Sequence, residues 1–332
     1  MTTVRFLGSG AVDDLAAPED YVDPVREAYR QRGEGAPAEP RTALVRDDPS
    51  GMLTTYAAIL PETGAMGGYT YSAGFGAGDA WFLAPLFDAD SGELQAVIDG
   101  ASMNPYKTGA AGAVGVDALA RRDATDLGIV GSGPQARGQL LATATVRDLD
   151  SVRVYSPTVA HREAFAAEMD DRLDADVEAV ESSRAAVGDA DVVVTATDAA
   201  EPVFDGEDLA PGTHVTAMGQ YHPEKRELDA TTIARSVYVP DLRDRVRQDA
   251  GSFIGALAAG AIDEGHVHAE LGEVVSGAAA GRTDDEQITV FDSGGTGIET
   301  VAAAAMLYER AVETDRGSTV EFTPASEGLT GR

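Results

Sequence analysis

Midway along the chain, Leu127-Gly-Ile-Val130 gives way to Gly131-Ser-Gly133-Pro134-Gln135-Ala136, and then to a helix-like stretch from Arg137 to Arg147. No other feature narrows the possible folds as much. Gly131 permits a tight turn at the end of a strand, and Gly133 lets the backbone approach a pyrophosphate. Small Ala136 lets the next helix pack against the strand, while that helix's N–H groups and dipole draw phosphate toward them. A lone Gly-x-Gly-x-x-Ala is a weak signal, and its meaning depends on the segments downstream of it.

Those segments alternate regularly. SVRVYS (Ser151 to Ser156) reads as a second strand, AHREAFAAEMDDRL from Ala160 as a helix, and VEAV (Val177 to Val180) as a third strand. A short helix in SSRAAVGD precedes the apolar strand ADVVVTAT, and THVTAMG, SVYVPD and QITVFDS supply three more, ending at Ser293. Strands separated by helices pair in parallel through right-handed crossovers, which gives a doubly wound α/β sheet of the Rossmann type. A nucleotide then lies across the carboxyl ends of the strands.

The chain has 332 residues, 43% of them apolar, enough for two cored domains. No apolar run approaches the roughly 18 residues that span a bilayer, so no membrane partner is expected. The start shows no basic region leading into an apolar block. Cysteine is absent, excluding disulfides and thiolate chemistry, and the expected compartment is the cytoplasm. Against 25 Lys and Arg stand 56 Asp and Glu, a net charge of -31. The acids are scattered along the chain, and salt would screen their repulsion, so the balance reads as a halophile's surface. It also argues against nucleic acid as a partner.

The second strand bears on the cofactor. NAD-preferring sites commonly end this strand in an acid that bonds the ribose 2′-hydroxyl. Here it ends in Ser156, with Thr158 and Arg162 able to meet a 2′-phosphate, so NADP(H) is favoured and NAD(H) is the alternative.

The flanks read differently. SGMLTTYAAILP and GGYTYSAGF alternate like strands of a mixed sheet, and DAWFLAPLFDADSGELQAVIDG looks like a hairpin. TGAAGAVGVDALARR is a helix leading into the nucleotide domain, and IETVAAAAMLYERAVE a helix after its last strand. The second helix is expected to return to the first domain. The expected division is therefore a discontinuous α+β substrate and dimerisation domain, residues 1–120 and 300–332, around a Rossmann domain, residues 121–299.

The order of motifs resembles the ornithine cyclodeaminase/mu-crystallin family, which also contains archaeal alanine dehydrogenases and ketimine reductases. The resemblance is carried by EPRTALV, LFDADSGELQAVIDG, KTGAAGAVGVDALA, LGIVGSGPQARGQL, VRVYSPT, LAPGTHVTAMG, PEKRELD, VHAELGEVVSG and ITVFDSGGTG, spanning about residues 40 to 310. It implies a homodimer built through the outer domain, a pocket between that domain and the nicotinamide, and hydride transfer at the Cα of a small anionic amino or imino acid. It also implies that Arg41 and Lys107 bind the substrate carboxylate, with Gly294 beside them. Lys107 stands where the family has arginine; it keeps the charge and loses the planar fork. The cofactor contacts implied, besides Gly131 to Ala136, Ser156, Thr158 and Arg162, are Thr108, Thr197, Met218, Lys225, Ser293 and Gly295.

Two departures matter for catalysis. Alignment of GGYTYSA with the family's acid/base lysine strand puts Thr70 at the lysine, and a hydroxyl cannot replace that base at neutral pH. Tyr221 stands where cyclodeaminases carry an aspartate, which disfavours the cyclodeaminase-type lyase alternative. Proton-transfer candidates are then Tyr69, Tyr71, Tyr221 and His222, beside Lys107 and Thr70. His266 and His268 in EGHVHAE read as part of a packed helix, so no metal is expected. A nucleotide-binding protein with lost catalysis is the other alternative.

Overall fold

In the computed structural model, which describes residues 2–218 and 221–330, the chain divides into two compact units. One comprises residues up to Lys107 together with those from Thr296 on, the other Thr108–Gly295. The sequence suggests divisions near residues 120 and 300. The first falls instead within the long helix Gly100–Leu119, whose later turns are built from small buried residues, Ala110, Ala111, Ala113 and Val114. Gln139 Nε2 donates to the Thr108 carbonyl at 2.8 Å and ties the start of those turns to the helix Pro134–Thr143 of the second unit.

The first unit holds β1 (Thr2–Leu7), β2 (Thr42–Asp47), β3 (Ser50–Leu60), β4 (Ala65–Gly74), β5 (Asp79–Asp88) and β6 (Leu94–Asp99). A further strand, Ser318–Phe322, pairs antiparallel with β1, and β1 runs parallel to β6; the strands from β2 to β6 form an antiparallel meander. One face packs on the helices Val22–Gly33 and Gly297–Glu313. Strand periodicity results from that one-sided cover: in β3, Thr54, Tyr56, Ala58 and Leu60 are buried while Leu53, Thr55, Ala57 and Ile59 are exposed. The open face also carries Trp81 and Leu83 of β5, 72% and 44% exposed.

The second unit contains β7 (Asp126–Val130), β8 (Ser151–Tyr155), β9 (Asp176–Ala179), β10 (Val192–Thr195), β11 (His214–Ala217), β12 (Ser236–Pro240) and β13 (Ile288–Asp292). Their order is β12-β13-β11-β10-β7-β8-β9, and every pairing is parallel. The chain winds outward from β7 through β8 to β9, then returns to β7's other side at β10, so the switch point lies between β7 and β10. Two apolar cores, on Leu127, Ile129 and Val194 and on Val193, Val215 and Val290, account for the uninterrupted apolar runs. Among the described residues no helix is long and apolar enough to cross a membrane.

Within this sheet His214 is fully buried, its Nδ1 2.9 Å from Thr289 Oγ1 and its Nε2 3.0 Å from Thr216 Oγ1. Burial first, then Arg282 and Arg147, lowers its pKa to about 3. The folded value lies below the unfolded one, so stability is intact above about pH 6.5 and declines as pH falls toward 3, where only the unfolded chain takes up the proton. At pH 5 the loss is about 2 kcal/mol. Denaturant unfolding at pH 7 and pH 5 should show that wild type loses about this much more than His214→Gln; equal losses would refute it.

Candidate active site

Strand register brings the residues expected to meet a nucleotide to one edge. Val130 pairs with Tyr155 and Thr195, Ala217 with Thr195 and Asp292, and Asp292 with Pro240. The turns after these residues therefore share the carboxyl edge of the sheet. Gly131 has φ +125°, donates its N–H to the Tyr155 carbonyl at 2.8 Å, and would place a Cβ 2.4 Å from the Ala196 carbonyl. Only glycine fits there. Gly133 caps the helix Pro134–Thr143, which starts earlier than the sequence suggests because Pro134 is set for its first turn. A Cβ on Gly133 would meet nothing within 4 Å among the described residues, which leaves the backbone at the helix N-terminus open to close approach on that side. Ala136 is fully buried.

Other members of the expected set fit a dinucleotide to different degrees. Gln135 Oε1 and Ser293 Oγ are buried with no hydrogen-bond partner among the described residues, as suits groups that bond a bound molecule. Ser132 Oγ donates to Ser156 Oγ at 3.0 Å, and Arg162, stacked 5.6 Å from the Tyr155 ring centroid, donates to the Ser156 carbonyl at 2.9 Å. A guanidinium thus sits at the end of the second strand, and Thr158 is exposed beside it. Thr197 donates through its N–H (2.6 Å) and hydroxyl (2.8 Å) to Glu227, which also accepts from Thr195 Oγ1. Sequence reasoning passes over Glu227, although the PEKRELD motif contains it. Met218 is buried, while Tyr221, His222 and Lys225 are exposed on the loop beyond β11. His222 Nδ1 accepts the Glu224 N–H at 3.2 Å.

The first unit gathers a different chemistry. Tyr56 of β3 and Tyr69 and Tyr71 of β4 share the helix-covered face, with ring centroids 5.6 to 6.5 Å apart, and Phe82 stacks on Tyr69 at 5.4 Å. Arg41, 7% exposed, lies over Tyr56 at 5.6 Å and donates to the Tyr71 hydroxyl at 3.3 Å. Lys107, 1% exposed, lies over Tyr69 at 5.1 Å with Nζ 3.3 Å from Glu299 Oε1. Glu299 also closes the first turn of its helix, accepting the Thr296 N–H and hydroxyl, both at 2.6 Å. Two buried cations thus lie against aromatic rings, with Glu299 beside Lys107, a setting that suits an organic anion. Burial keeps Tyr56 and Tyr69 well above the usual phenol range, so they are neutral donors and not bases; Tyr69 donates to the Gly100 carbonyl at 2.7 Å.

Thr70 does not join this cluster. It pairs with Thr55, Oγ1 to Oγ1 at 3.2 Å, on the open face of the sheet. Strand alternation turns Tyr69 inward in its place. Of the candidates, Arg41, Lys107, Tyr69 and Tyr71 are brought together, whereas Tyr221, His222 and Gly294 belong to the second unit. His266 and His268 do not form the packed helix suggested by EGHVHAE. They lie at a short 3-10 turn and just after it, each ring Nε2 against a backbone carbonyl, Ile233 and Ala280.

The model of the ornithine cyclodeaminase/mu-crystallin family matches residues 6–315. The chain belongs to this family. Among its members, a Delta(1)-pyrroline-2-carboxylate reductase of Bacillus cereus is 33% identical over 265 residues, 80% of this chain and 78% of that protein. The structure of Thermococcus litoralis Delta(1)-pyrroline-2-carboxylate reductase in complex with NADH and L-proline superposes with a TM-score of 0.90 at 31% identity, covering 96% of this chain and all of that one. An archaeal alanine dehydrogenase dimer with bound NAD gives 0.91 at 30% identity, covering 97% and 100%.

Proposed function

We propose that this protein is an NAD(P)-dependent reductase of small imino acids, preferring preformed ketimines over the oxidation of amino acids. The observation that carries the reading is the pair of buried cations, Arg41 and Lys107, on a tyrosine cluster that has no basic side chain at its inward β4 position. Arg41 and Lys107 would hold the carboxylate. An iminium already carries the positive charge that a hydride seeks, so its reduction needs no lysine-type acid or base, whereas ammonia addition to a ketone does. The dinucleotide, held by Gly131 to Ala136, Gln135 and Ser293, supplies the hydride when bound. The other residues orient the substrate and exclude water.

The test is a screen with NADPH and NADH against cyclic imine carboxylates, and against 2-oxo acids with ammonia or amines. Turnover of the cyclic imines is expected. Cofactor binding without turnover of any of them would favour a binding protein; ammonia release from a diamino acid would favour a cyclodeaminase.

Cofactor choice, assembly and setting extend the same reading. Arg162 at the strand end supports NADP(H) over NAD(H), and calorimetry showing NAD(H) bound tenfold tighter would overturn that. The open apolar sheet face with Leu53, Ile59, Trp81 and Leu83 supports a homodimer through the outer domain. The charge of -31 supports a high-salt setting. The melting temperature should therefore rise steeply from low salt to molar KCl, and an unchanged value would remove the argument.

A further inference from the structure

Four ionisable side chains with no part in the proposed reaction meet inside the second unit. Arg245 is 1% exposed, Asp241 0%, Asp249 3% and Asp292 1%. Arg245 Nε donates to Asp241 Oδ1 at 2.5 Å and Nη1 to Asp249 Oδ1 at 2.8 Å; Nη2 donates to the Asp292 carboxylate and, at 2.9 Å, to the Asp292 carbonyl. The Tyr238 hydroxyl donates to the other Asp292 oxygen at 2.5 Å. Asp241 then reaches outward. Its Oδ2 accepts the N–H groups of Gly294 at 2.7 Å and Gly295 at 3.1 Å. Gly295 is left-handed at φ +80°, and a Cβ on Gly294 would lie 2.5 Å from the Arg245 guanidinium carbon. The loop after β13 is thereby tied through one carboxylate to one buried guanidinium.

Stability does not account for such a cluster. Desolvating each ion costs several kcal/mol, and apolar side chains of the same volume often serve as well or better. What ions add is direction: a planar fork fixes Asp241, and Asp241 fixes two consecutive peptide N–H groups. The sequence carries the parts in PDLRDRVRQD and FDSGG, separated by about forty residues.

We propose that Asp241 and Arg245 are positioning residues for the nicotinamide end of the cofactor, holding Ser293, Gly294 and Gly295 in the conformation that receives it. The inference rests on reading the carboxyl edge of the sheet as the dinucleotide site. It separates this end of the site from the phosphate end, which the Gly131 to Ala136 turn holds without help from the cluster.

The experiment compares whole dinucleotides with fragments that lack the nicotinamide. Binding of NADPH and 2′-phospho-ADP-ribose, and of NADH and ADP-ribose, is measured by calorimetry on the full-length protein, wild type and Asp241→Asn, in high salt. The variant should bind the dinucleotide at least tenfold more weakly and the fragment within twofold of wild type. Equal weakening of both, or no weakening of either, overturns the proposal. If wild type binds neither, the dinucleotide reading itself falls and the proposal falls with it. Should Asp241→Asn fail to fold, Asp249→Asn loosens one arm of the fork without touching the loop. It should weaken dinucleotide binding at least threefold with the fragment unchanged, and equal binding of the dinucleotide by variant and wild type overturns the proposal.

Discussion

Replacing Lys107 by Met will raise the substrate KM at least tenfold, a loss of about 1.4 kcal/mol or more, with a smaller change in cofactor affinity. The same change will lower stability by about 3–5 kcal/mol, because removing one partner of a buried pair strands the other's charge. Glu299 is the charge left behind, 1% exposed and 3.3 Å from the lost ammonium. The two effects separate in a double variant. Lys107→Met with Glu299→Gln should recover much of the stability in denaturant unfolding, while KM stays high. Recovery of KM together with stability would mean that Lys107 only holds the fold, and the substrate's carboxylate is bound elsewhere.

Gly133→Ala will weaken dinucleotide binding at least tenfold while leaving stability within about 0.5 kcal/mol of wild type. The added methyl meets nothing within 4 Å among the described residues, so it costs the fold little; on the proposed reading it stands where a pyrophosphate approaches the helix N-terminus. Gly131→Ala is the contrasting control. There the added Cβ meets the Ala196 carbonyl at 2.4 Å on a backbone at φ +125°, and stability should fall by about 1–3 kcal/mol. Calorimetry and unfolding on both variants check the pair. A Gly133→Ala protein that binds NADPH as well as wild type would remove the pyrophosphate from this turn.

The strands of the second unit are legible in the sequence because central ones such as β10 and β13, buried along their whole length, stand out between helices, while β8 and β9 follow from the strand–helix alternation, and the glycine turn marks which strand comes first. The hairpin of β5 and β6 is legible from its turn. The strand Ser318–Phe322 is not, since all five residues are exposed and STVEF carries no buried face to read. Of the candidate cluster, Arg41 and Lys107 are singled out in the sequence by the resemblance, and the fold buries both of them against Tyr71 and Tyr69. Legibility fails at Thr70, where a slip of one residue reverses a strand's faces and hides Tyr69. Lys107 with Glu299, and Arg245 with Asp292, are pairings between residues 192 and 47 positions apart. Local pattern shows such charges as ordinary solvated residues until the fold brings them together.

The pairing of β1 with Ser318–Phe322 also sets an order of events during synthesis. Thr3 and Glu321, joined across these strands, stand 318 positions apart, and the helix Gly297–Glu313 that covers the sheet is nearly as late. The second unit lies wholly between them in the chain. On the ribosome it can finish its sheet while β1 through β6 have the helix Val22–Gly33 but still lack Gly297–Glu313, so the earliest strands made are among the last to be fully protected. For that interval the meander presents incompletely covered strands to its neighbours, and this is where chaperone dependence and aggregation during expression should concentrate.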